Sequence, residues 1–540
     1  QPVYEVQGLP GAVFEITALE DVYTLDGTLR YSAGEVVDTI TTGEDGTAQS
    51  QPLYLGKFQV KEIQFPHGMV DTGENVTNVE LVYAGQEVEV TETSASFYNQ
   101  RQKALVTLDK VLEQEETFGI GMNGEISAVT FGLYAQEDIT AADGSVIPAD
   151  GLLEIVSVNE NGQAVCSTDL PFGSFYLKEL STDSHYLLNG ETFPFTFEYG
   201  GPSVAVVEIS ANDGEAVTNE LIRGEIKGLK TDENGTGLGG AVIGLFKSDE
   251  TEFTAENALA TTTSADDGSF SFTNVPYGDW VLKELESPEG FILSDEVIPV
   301  TVEEDGQVVE ISLANERVYG DLRLTKVDKD YPDNKLTGAE FEVYRDTNGN
   351  KELDEGDELL GKLEETSTGI YEMSHILYGG VFVRETKAPE GFLLDENAYY
   401  VEITENGKIY EVENEAGIGF TNMAQTGSLR IEKTSSDGKV EGFSFRVTGA
   451  NGYDQTFKTD KNGEIFIEGL RVGDYTVSEV SDGASANYVL PADKKVTILA
   501  DKTTVAQMHN ELRDTPKTGD DSKPWLWAAL MGVSAMGAAA

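Results

Sequence analysis

Three side chains that can react with one another recur along this sequence: a lysine, a glutamate and an asparagine. Each ends a short alternating pattern, so the apolar residue two positions before it shares its face of a β-strand; Lys230, with Gly228 there, is the exception. The glutamates, each six residues after a glycine, are Glu62, Glu179, Glu284, Glu385 and Glu479. The lysines are Lys110, Lys230, Lys326 and Lys433, and the asparagines are Asn99, Asn219, Asn315, Asn422 and Asn510. Five glutamates in the same phase are expected to point into a core.

Buried together, these groups form a reactive set. Loss of water disfavours charge, so burial lowers the pKa of a lysine and raises the pKa of a glutamate. A neutral ε-amine can attack the asparagine carboxamide while a protonated glutamate hydrogen-bonds the amide oxygen and relays protons as ammonia leaves. The product is a Lys–Asn isopeptide bond, and the alternative is an unreacted hydrogen-bonded cluster. Between Lys326 and Asn422 such a crosslink would contribute about 4–5 kcal/mol in the chain-entropy view.

Short β-strands joined by turns are the elements that must position these groups. The chain has 540 residues, which is too many for one core, and 39% of them are hydrophobic. Val, Ile, Phe and Tyr alternate between turn pairs such as Asp267-Gly268 and Asn462-Gly463. These patterns predict an all-β protein built as a tandem array of five two-sheet sandwiches of broadly immunoglobulin-like architecture.

The spacing of the reactive residues predicts where these sandwiches meet. Eleven positions separate each of the first four asparagines from the lysine that follows it, as in Asn99 and Lys110, which leaves little linker and predicts a stiff rod. The predicted domains are residues 1–100, 101–221, 222–318, 319–425 and 426–512, followed by a C-terminal segment, 513–540. The first has Glu62 and Asn99 but no lysine, so we expect its first strand to lie upstream of Gln1.

Charge and cysteine content exclude several classes of function. The chain carries 36 basic and 96 acidic residues, a formal charge of −60, which argues against nucleic acid or an anionic membrane as a partner. A single cysteine, Cys166, excludes an intramolecular disulfide, and the four scattered histidines show no zinc-ligand spacing. An extracellular chain of this kind would need another covalent crosslink.

Three segments of the fourth predicted domain carry a family resemblance. Gly320-Asp-Leu-Arg-Leu-Thr-Lys-Val-Asp328, Leu336-Thr-Gly-Ala-Glu-Phe341 and Val383-Arg-Glu-Thr-Lys-Ala-Pro-Glu-Gly-Phe392 resemble the Cna-B-type, or SpaA-like prealbumin-fold, domains of Gram-positive adhesins and pilins. The resemblance extends over nearly the whole chain, although Val440-Glu-Gly-Phe443 departs from the second segment. It implies a lysine on the first strand, an asparagine on the last and the glutamate as catalytic proton relay.

The C-terminal segment resembles a sortase signal. Thr515, Pro516, Lys517, Thr518 and Gly519 precede an apolar run from Trp525 to Ala540, with Thr515 where the usual signal has leucine. The run is shorter than the roughly 20 residues of a membrane helix, which predicts a truncated transmembrane anchor. The resemblance implies cleavage after Thr518 by a sortase and attachment of its carboxyl group to peptidoglycan. The protein would thus be extracellular and wall-linked, after a membrane-tethered precursor.

A loop in the fourth predicted domain has the spacing of a calcium site. Oxygen-bearing side chains stand at loop positions 1, 3, 5, 9 and 12: Asp346, Asn348, Asn350, Asp354 and Asp357. Lys351 replaces the expected glycine and Asp357 the expected glutamate, and an acidic turn in an acidic protein explains the loop equally well. The crosslinking chemistry itself requires no cofactor.

These observations predict a surface protein that is not an enzyme, apart from single-turnover crosslinking of itself. It would be the stalk of an adhesin or an ancillary pilin, with host protein or carbohydrate bound through a region upstream of Gln1. The alternative is that the repeats themselves bind such a ligand. A secreted hydrolase would need a paired carboxylate or a Ser/His/Asp set outside the repeated positions, and the sequence shows none.

Overall fold

The computed structural model describes residues 1–514, and nearly all of their regular structure is β-strand. Three short 3-10 segments supply the helical turns of this part: Glu125–Ala128, Ala211–Gly214 and Ala450–Gly452. The prediction of an all-β chain is confirmed. Within residues 1–514, no helix has the length and apolar character needed to cross a membrane.

The chain divides into two compact units. The first contains Gln1–Glu289 and Leu293–Asn315, and the second contains Gly290–Ile292 and the chain from Glu316 onward. We refer to the five predicted domains by number, so the first unit holds the first three and the second unit holds the fourth and fifth.

Two main sheets form each of the second to fifth domains, and the second domain adds a two-stranded sheet, Ile139–Thr140 with Val146–Ile147. In the one that we call the lysine sheet, the lysine-bearing first strand of the domain lies next to the last strand and parallel to it. The other, which we call the glutamate sheet, has four antiparallel strands. In each of these domains the glutamate-bearing strand is third in the spatial order and lies beside the strand of the sheet that comes first in the sequence. The reactive residues are therefore brought together from both sheets, across one core.

In the first unit, the first domain has a complete glutamate sheet, while residues 82–99 include no strand. Its strands are Val13–Ala18, Val22–Tyr23, Leu29–Tyr31, Val36–Thr41, Gly56–Gln64, Met69–Val70 and Val76–Leu81, with Gln100–Arg101 following. Those of the second domain are Lys103–Leu112, Thr130–Ala135, Ile139–Thr140, Val146–Ile147, Leu152–Ser157, Gln163–Val165, Gly173–Ser181, Thr192–Phe197, Val206–Ser210 and Val217–Asn219. Those of the third are Arg223–Asp232, Val242–Lys247, Ala260–Thr263, Ser269–Pro276, Gly278–Glu286, Val297–Val302 and Val308–Asn315.

In the second unit, both domains have the two-sheet arrangement. The strands of the fourth domain are Tyr319–Asp328, Glu340–Arg345, Glu358–Lys362, Glu364–Ser367, Ile370–Leu377, Gly379–Lys387, Ala398–Ile403, Ile409–Glu411 and Phe420–Asn422. Those of the fifth are Thr426–Ser435, Ser444–Thr448, Asp454–Lys458, Glu464–Arg471, Gly473–Glu479, Tyr488–Val489, Lys494–Ile498 and Thr503–Leu512.

The glycine that opens the glutamate strand has a conformational role in four of the domains. There φ is positive, between 112° and 150°, at Gly173, Gly278, Gly379 and Gly473. A side chain is strained in this region of φ/ψ space, so the turn into the strand requires glycine. This requirement accounts for much of the constant six-residue spacing from glycine to glutamate.

Each glutamate is also held against an apolar partner. On the neighbouring strand, the residue opposite it is Phe14, Phe131, Ile243, Phe341 or Phe445. In the first four domains a shift in register immediately precedes this pair. The partner removes the carboxyl group from water, and all five glutamates are buried.

Candidate crosslinking site

The pairing of the first and last strands sets the distance between lysine and asparagine. In all four complete domains the asparagine is the register partner of the residue two positions after the lysine: Leu112, Asp232, Asp328 and Ser435. Residues two apart in a strand share a face. The lysine and the asparagine therefore project diagonally toward one another, on the core side of the lysine sheet.

In the second, third and fourth domains the lysine hydrogen-bonds the asparagine directly. Lys110 Nζ donates to Asn219 Oδ1 at 2.7 Å, and Lys230 and Lys326 donate to Oδ1 of Asn315 and Asn422. The lysine and glutamate side chains of these three domains have no exposed surface. The predicted lysines, glutamates and asparagines thus meet in a buried cluster in each of these domains.

The glutamate contacts the same asparagine from the opposite sheet. Asn219 Nδ2 donates to Glu179 Oε1 at 2.8 Å, and Asn315 Nδ2 donates to Glu284 Oε1 at the same distance. In the fourth domain Asn422 Nδ2 lies 2.9 Å from Glu385 Oε2. The expected contact was to the amide oxygen. A protonated lysine Nζ can only donate, so it takes Oδ1 and leaves Nδ2, the atom that departs as ammonia, to the glutamate.

A backbone amide ten residues later in the chain anchors the glutamate. In the second domain Asn189 N donates to Glu179 Oε2 at 2.7 Å. The amides of Ser294 and Asp395 make the same contact to Glu284 and Glu385, both at 2.9 Å. Sequence reasoning missed this contact, because its donors are backbone amides of three different residue types and only their ten-residue interval from the glutamate is constant. In the second and third domains one carboxylate oxygen is thereby fixed while the other accepts from the asparagine; in the fourth, Asn422 Nδ2 contacts both oxygens of Glu385.

Burial shifts the pKa values of the three lysines and of Glu385 in the predicted directions. It lowers the pKa of Lys110 to about 8 and that of Lys326 to about 8, and also lowers the pKa of Lys230. In the fourth domain burial raises the pKa of Glu385, against the hydrogen bonds from Asp395 and Asn422. Both shifts bring the neutral amine and the neutral acid closer in energy to the ion pair.

The fifth domain holds the same residues in a different arrangement. Asn510 Nδ2 donates to Glu479 Oε1 at 2.6 Å, but Lys433 Nζ donates to the Thr434 carbonyl and lies 4.4 Å from the centre of the Phe443 ring. Asn510 Oδ1 and Glu479 Oε2 are buried without a hydrogen-bond partner. Burial still lowers the pKa of Lys433 and raises that of Glu479. A turn of the Lys433 side chain would be needed to reach the asparagine.

The first domain contains two of the three groups. Asn99 Nδ2 donates to Glu62 Oε1 at 3.0 Å and to Oε2 at 3.1 Å. Glu62 is buried, and this burial raises its pKa. The pair has the same relation as in the complete domains, without a lysine beside it among the described residues.

The predicted calcium loop is an exposed turn of the fourth domain, closed by its own hydrogen bonds. Asp346 accepts the amides of Gly349 and Lys351, and Asp354 accepts side-chain amide groups from Asn348 and Asn350. Lys351 has a φ of 61°, the left-handed conformation for which a glycine was expected. Within residues 1–514, no group of three or more His, Cys, Asp or Glu side chains is placed to hold a metal ion. A cation here would need the asparagine oxygens, and the site stays a prediction.

The predicted sortase signal, Thr515 to Gly519, and the apolar run after it lie outside the described residues.

Comparison with protein families identifies the repeated domains. The model of a family described as "SpaA: Prealbumin-like fold domain" matches residues 4–95, 224–317, 320–416 and 427–512. The second domain lies outside these matches, although it has the same two sheets and the same buried cluster. A comparison with curated proteins found no match.

Solved structures with similar folds include three bacterial proteins. The Bacillus anthracis TIE protein is 22% identical, with 71% of this chain and 69% of that chain covered and a TM-score of 0.45. BcpA, the major pilin subunit of Bacillus cereus, is 14% identical, with coverage of 54% and 100% and a TM-score of 0.27. A C-terminal fragment of the pilus adhesin SpaC from Lactobacillus rhamnosus GG is 14% identical, with coverage of 40% and 98% and a TM-score of 0.26. At these low values the family match remains the basis for assigning the domains.

Proposed function

Because this chain belongs to the SpaA family of prealbumin-like fold domains, we propose that it is the stalk of a Gram-positive surface protein or pilus. Its role is structural and extracellular: repeated domains carry a binding region away from the cell. Four of its domains become covalently closed by Lys–Asn isopeptide bonds, and these bonds rigidify the stalk. Self-crosslinking is the chain's own single-turnover chemistry, and the chain is otherwise not an enzyme.

The buried cluster of Lys326, Glu385 and Asn422 is the observation that carries this proposal. All three side chains are at most 3% exposed, and Lys326 Nζ contacts the carboxamide that it would attack. The amine and the carboxyl group are 3.9 Å apart, close enough to exchange a proton through the asparagine or after a small movement. A buried ion pair adds little stability by itself, so a cluster repeated in several domains favours a chemical role.

The reaction follows from these contacts. Glu385 takes the proton that Lys326 loses, and the neutral Nζ attacks Cγ of Asn422. The glutamate then donates that proton to Nδ2, to which it is already hydrogen-bonded, the Cγ–Nδ2 bond breaks, and the freed carboxylate takes a second proton from Nζ. Nζ keeps one hydrogen, Oδ1 remains a carbonyl oxygen, and one ammonia leaves. No oxidant, metal or cofactor enters the balance.

The mass of the protein tests this proposal. The unmodified full chain is expected to be four ammonia molecules lighter than its sequence mass, with linked peptides at all four lysines after digestion. In Glu385→Gln an amide replaces the carboxyl group and cannot accept the lysine proton. The linked Lys326–Asn422 peptide should therefore be absent, while the other three linked peptides remain. Glu390→Gln, an exposed position nearby, is the matched control and should retain all four. An unmodified chain whose measured mass equals its sequence mass, with no linked peptides, would refute the crosslinks.

We also propose that a sortase attaches this chain to peptidoglycan at Thr518. The proposal is supported by the order of a Pro-x-Thr-Gly segment after the last domain and an apolar run after that segment. Incubation with a sortase and a short oligoglycine should release the residues after Thr518 and add the glycine amine to Thr518. Pro516→Ala should prevent this product, whereas Lys517→Ala should allow it. Cleavage elsewhere, or none with sortases of several classes, would contradict the assignment.

A further inference from the structure

An arginine of the fifth domain contacts the fourth domain immediately beside its crosslinking cluster. Arg471 ends the strand Glu464–Arg471, and its guanidinium group binds both oxygens of Asp328, with Nη2 2.8 Å from Oδ1. The same Nη2 binds Asp330 at 2.5 Å, and the guanidinium carbon lies 4.7 Å from the centre of the Tyr331 ring. The contact is largely buried, since the Arg471 side chain is 15% exposed and Asp328 is fully covered.

Asp328 belongs to the lysine strand itself. It lies two residues after Lys326, on the same face, and its register partner on the last strand is Asn422. A bidentate arginine contact fixes the position of a carboxylate as well as its charge. Arg471 therefore holds the end of the strand that must keep Lys326 against Asn422.

The first unit contains a second contact of the same kind. Arg223 of the third domain binds Glu113 at 3.0 Å and Glu115 at 3.2 Å, two acids that follow Lys110 in the second domain. Glu113 also accepts the backbone amide of Leu221, two residues after Asn219, at 2.8 Å. In both units an arginine of the next domain binds two acids that lie two positions apart after the lysine, at +2 and +4 from Lys326 and at +3 and +5 from Lys110. A device repeated in two separate places is better explained by a shared role than by chance surface pairing.

Three carboxylates face Lys326: Glu385 from the glutamate strand, Asp395 from the loop after it, and Asp328 from its own strand. Burial lowers the pKa of Lys326 to about 8, and these three charges oppose that change. Burial acts to raise the pKa of Asp328, but the hydrogen bonds from Arg471 and the Asp330 amide lower it, so Asp328 is ionised. Without a neighbouring cation, that negative charge would favour the protonated lysine.

We propose that Arg471 is a positioning residue for the Lys326–Asn422 crosslink, so that docking of the fifth domain promotes closure of the fourth. It acts through Asp328, whose charge it balances at the end of the lysine strand. This inference rests on the proposed crosslinking function and adds to it a dependence of one domain on the next.

Kinetics in the full chain test the inference. The chain is collected unlinked in denaturant and refolded by dilution across a pH series that brackets the lysine pKa. Linked peptides at Lys326 are then counted over time, with the Lys110 linkage in the other unit as reference. Arg471→Ala is expected to slow the Lys326 linkage about tenfold and to move its alkaline limb upward by about one pH unit, the effect of one unit in the lysine pKa. The Lys110 linkage should keep its rate.

Two further variants separate charge from mere docking. Adding Asp328→Asn to Arg471→Ala removes the unbalanced charge, so both the rate and the pH profile should return toward those of the unmodified chain. Arg430→Ala, an exposed arginine of the same domain, should change neither. An unchanged Lys326 rate in Arg471→Ala, or a slow rate that Asp328→Asn does not rescue, would overturn the inference. Absence of any Lys326 linkage in the unmodified chain would instead refute the proposed function.

Discussion

Burial shifts the pKa values of Lys326 and Glu385 in opposite directions: it lowers that of the lysine and raises that of the glutamate. Water is excluded from both, so each side chain is closer to its neutral form than in a peptide. The reactive pair is a neutral amine with a neutral acid, which differs from the ion pair only in where one proton lies. Its population is therefore constant at pH values between the two pKa values and falls on either side.

The pH dependence of crosslinking follows from this pair. Below the raised pKa of Glu385 both groups hold a proton, and above the pKa of Lys326, about 8, neither does. The rate of Lys326–Asn422 linkage is thus expected to be bell-shaped, with its alkaline midpoint near that value. Timed refolding followed by peptide mass analysis measures it. A rate that keeps rising through that value toward the ordinary lysine pKa would contradict the assigned protonation.

The identity of the reactive residues could be predicted from sequence, because side chains alternate along a strand and the spacing of residues therefore shows which of them share a face. The orientation of the asparagine amide could not, since it depends on which neighbour donates and which accepts. The rotamer of Lys433 could not be predicted from sequence either. Its patterned neighbours match those of Lys326, yet it turns to the Thr434 carbonyl and the Phe443 ring. Side-chain packing, which alternation does not describe, makes that choice.

At the scale of strands, the alternating patterns predicted the lysine and glutamate strands, and the glycine before each glutamate was recognised as a fixed landmark. The parallel pairing of first and last strands was not predicted, because strand order depends on contacts distant in sequence. The backbone amide that anchors Glu385 could not be predicted for the same reason, since Asp395 lies in a loop whose path only the fold defines.

The loop from Asp346 to Asp357 gives a test at this scale. If it binds calcium, the ion would replace hydrogen bonds now made within the loop and link its two ends. The fourth domain should then melt at a higher temperature in calcium than in chelator, and Asp346→Asn with Asp354→Asn should remove the difference. Calorimetry of the full chain, with the fifth domain as internal reference, measures it. Equal melting temperatures in calcium and in chelator would mean that the loop is an acidic turn and not a calcium site.

For the molecule as a whole, crosslinks would decide how the chain responds to tension. Lys326 and Asn422 are 96 positions apart, and a bond between them keeps the intervening chain from being pulled out. Single-molecule pulling of Glu385→Gln should show one unfolding event that the unmodified chain lacks, with a gain of roughly 300 Å at about 3.4 Å per residue. The Glu390→Gln chain should behave as the unmodified one. The same event in all three chains would mean that the fourth domain is not closed.

The parallel pairing of first and last strands has a consequence for how such a protein changes over generations. Because these two strands run in the same direction, the chain enters a domain at one end of the lysine sheet and leaves at the other. A further copy can therefore be inserted between the last strand of one domain and the first strand of the next. The number of copies can vary while each keeps its own chemistry, and the length of the protein becomes an evolvable quantity, set by duplication rather than by redesign.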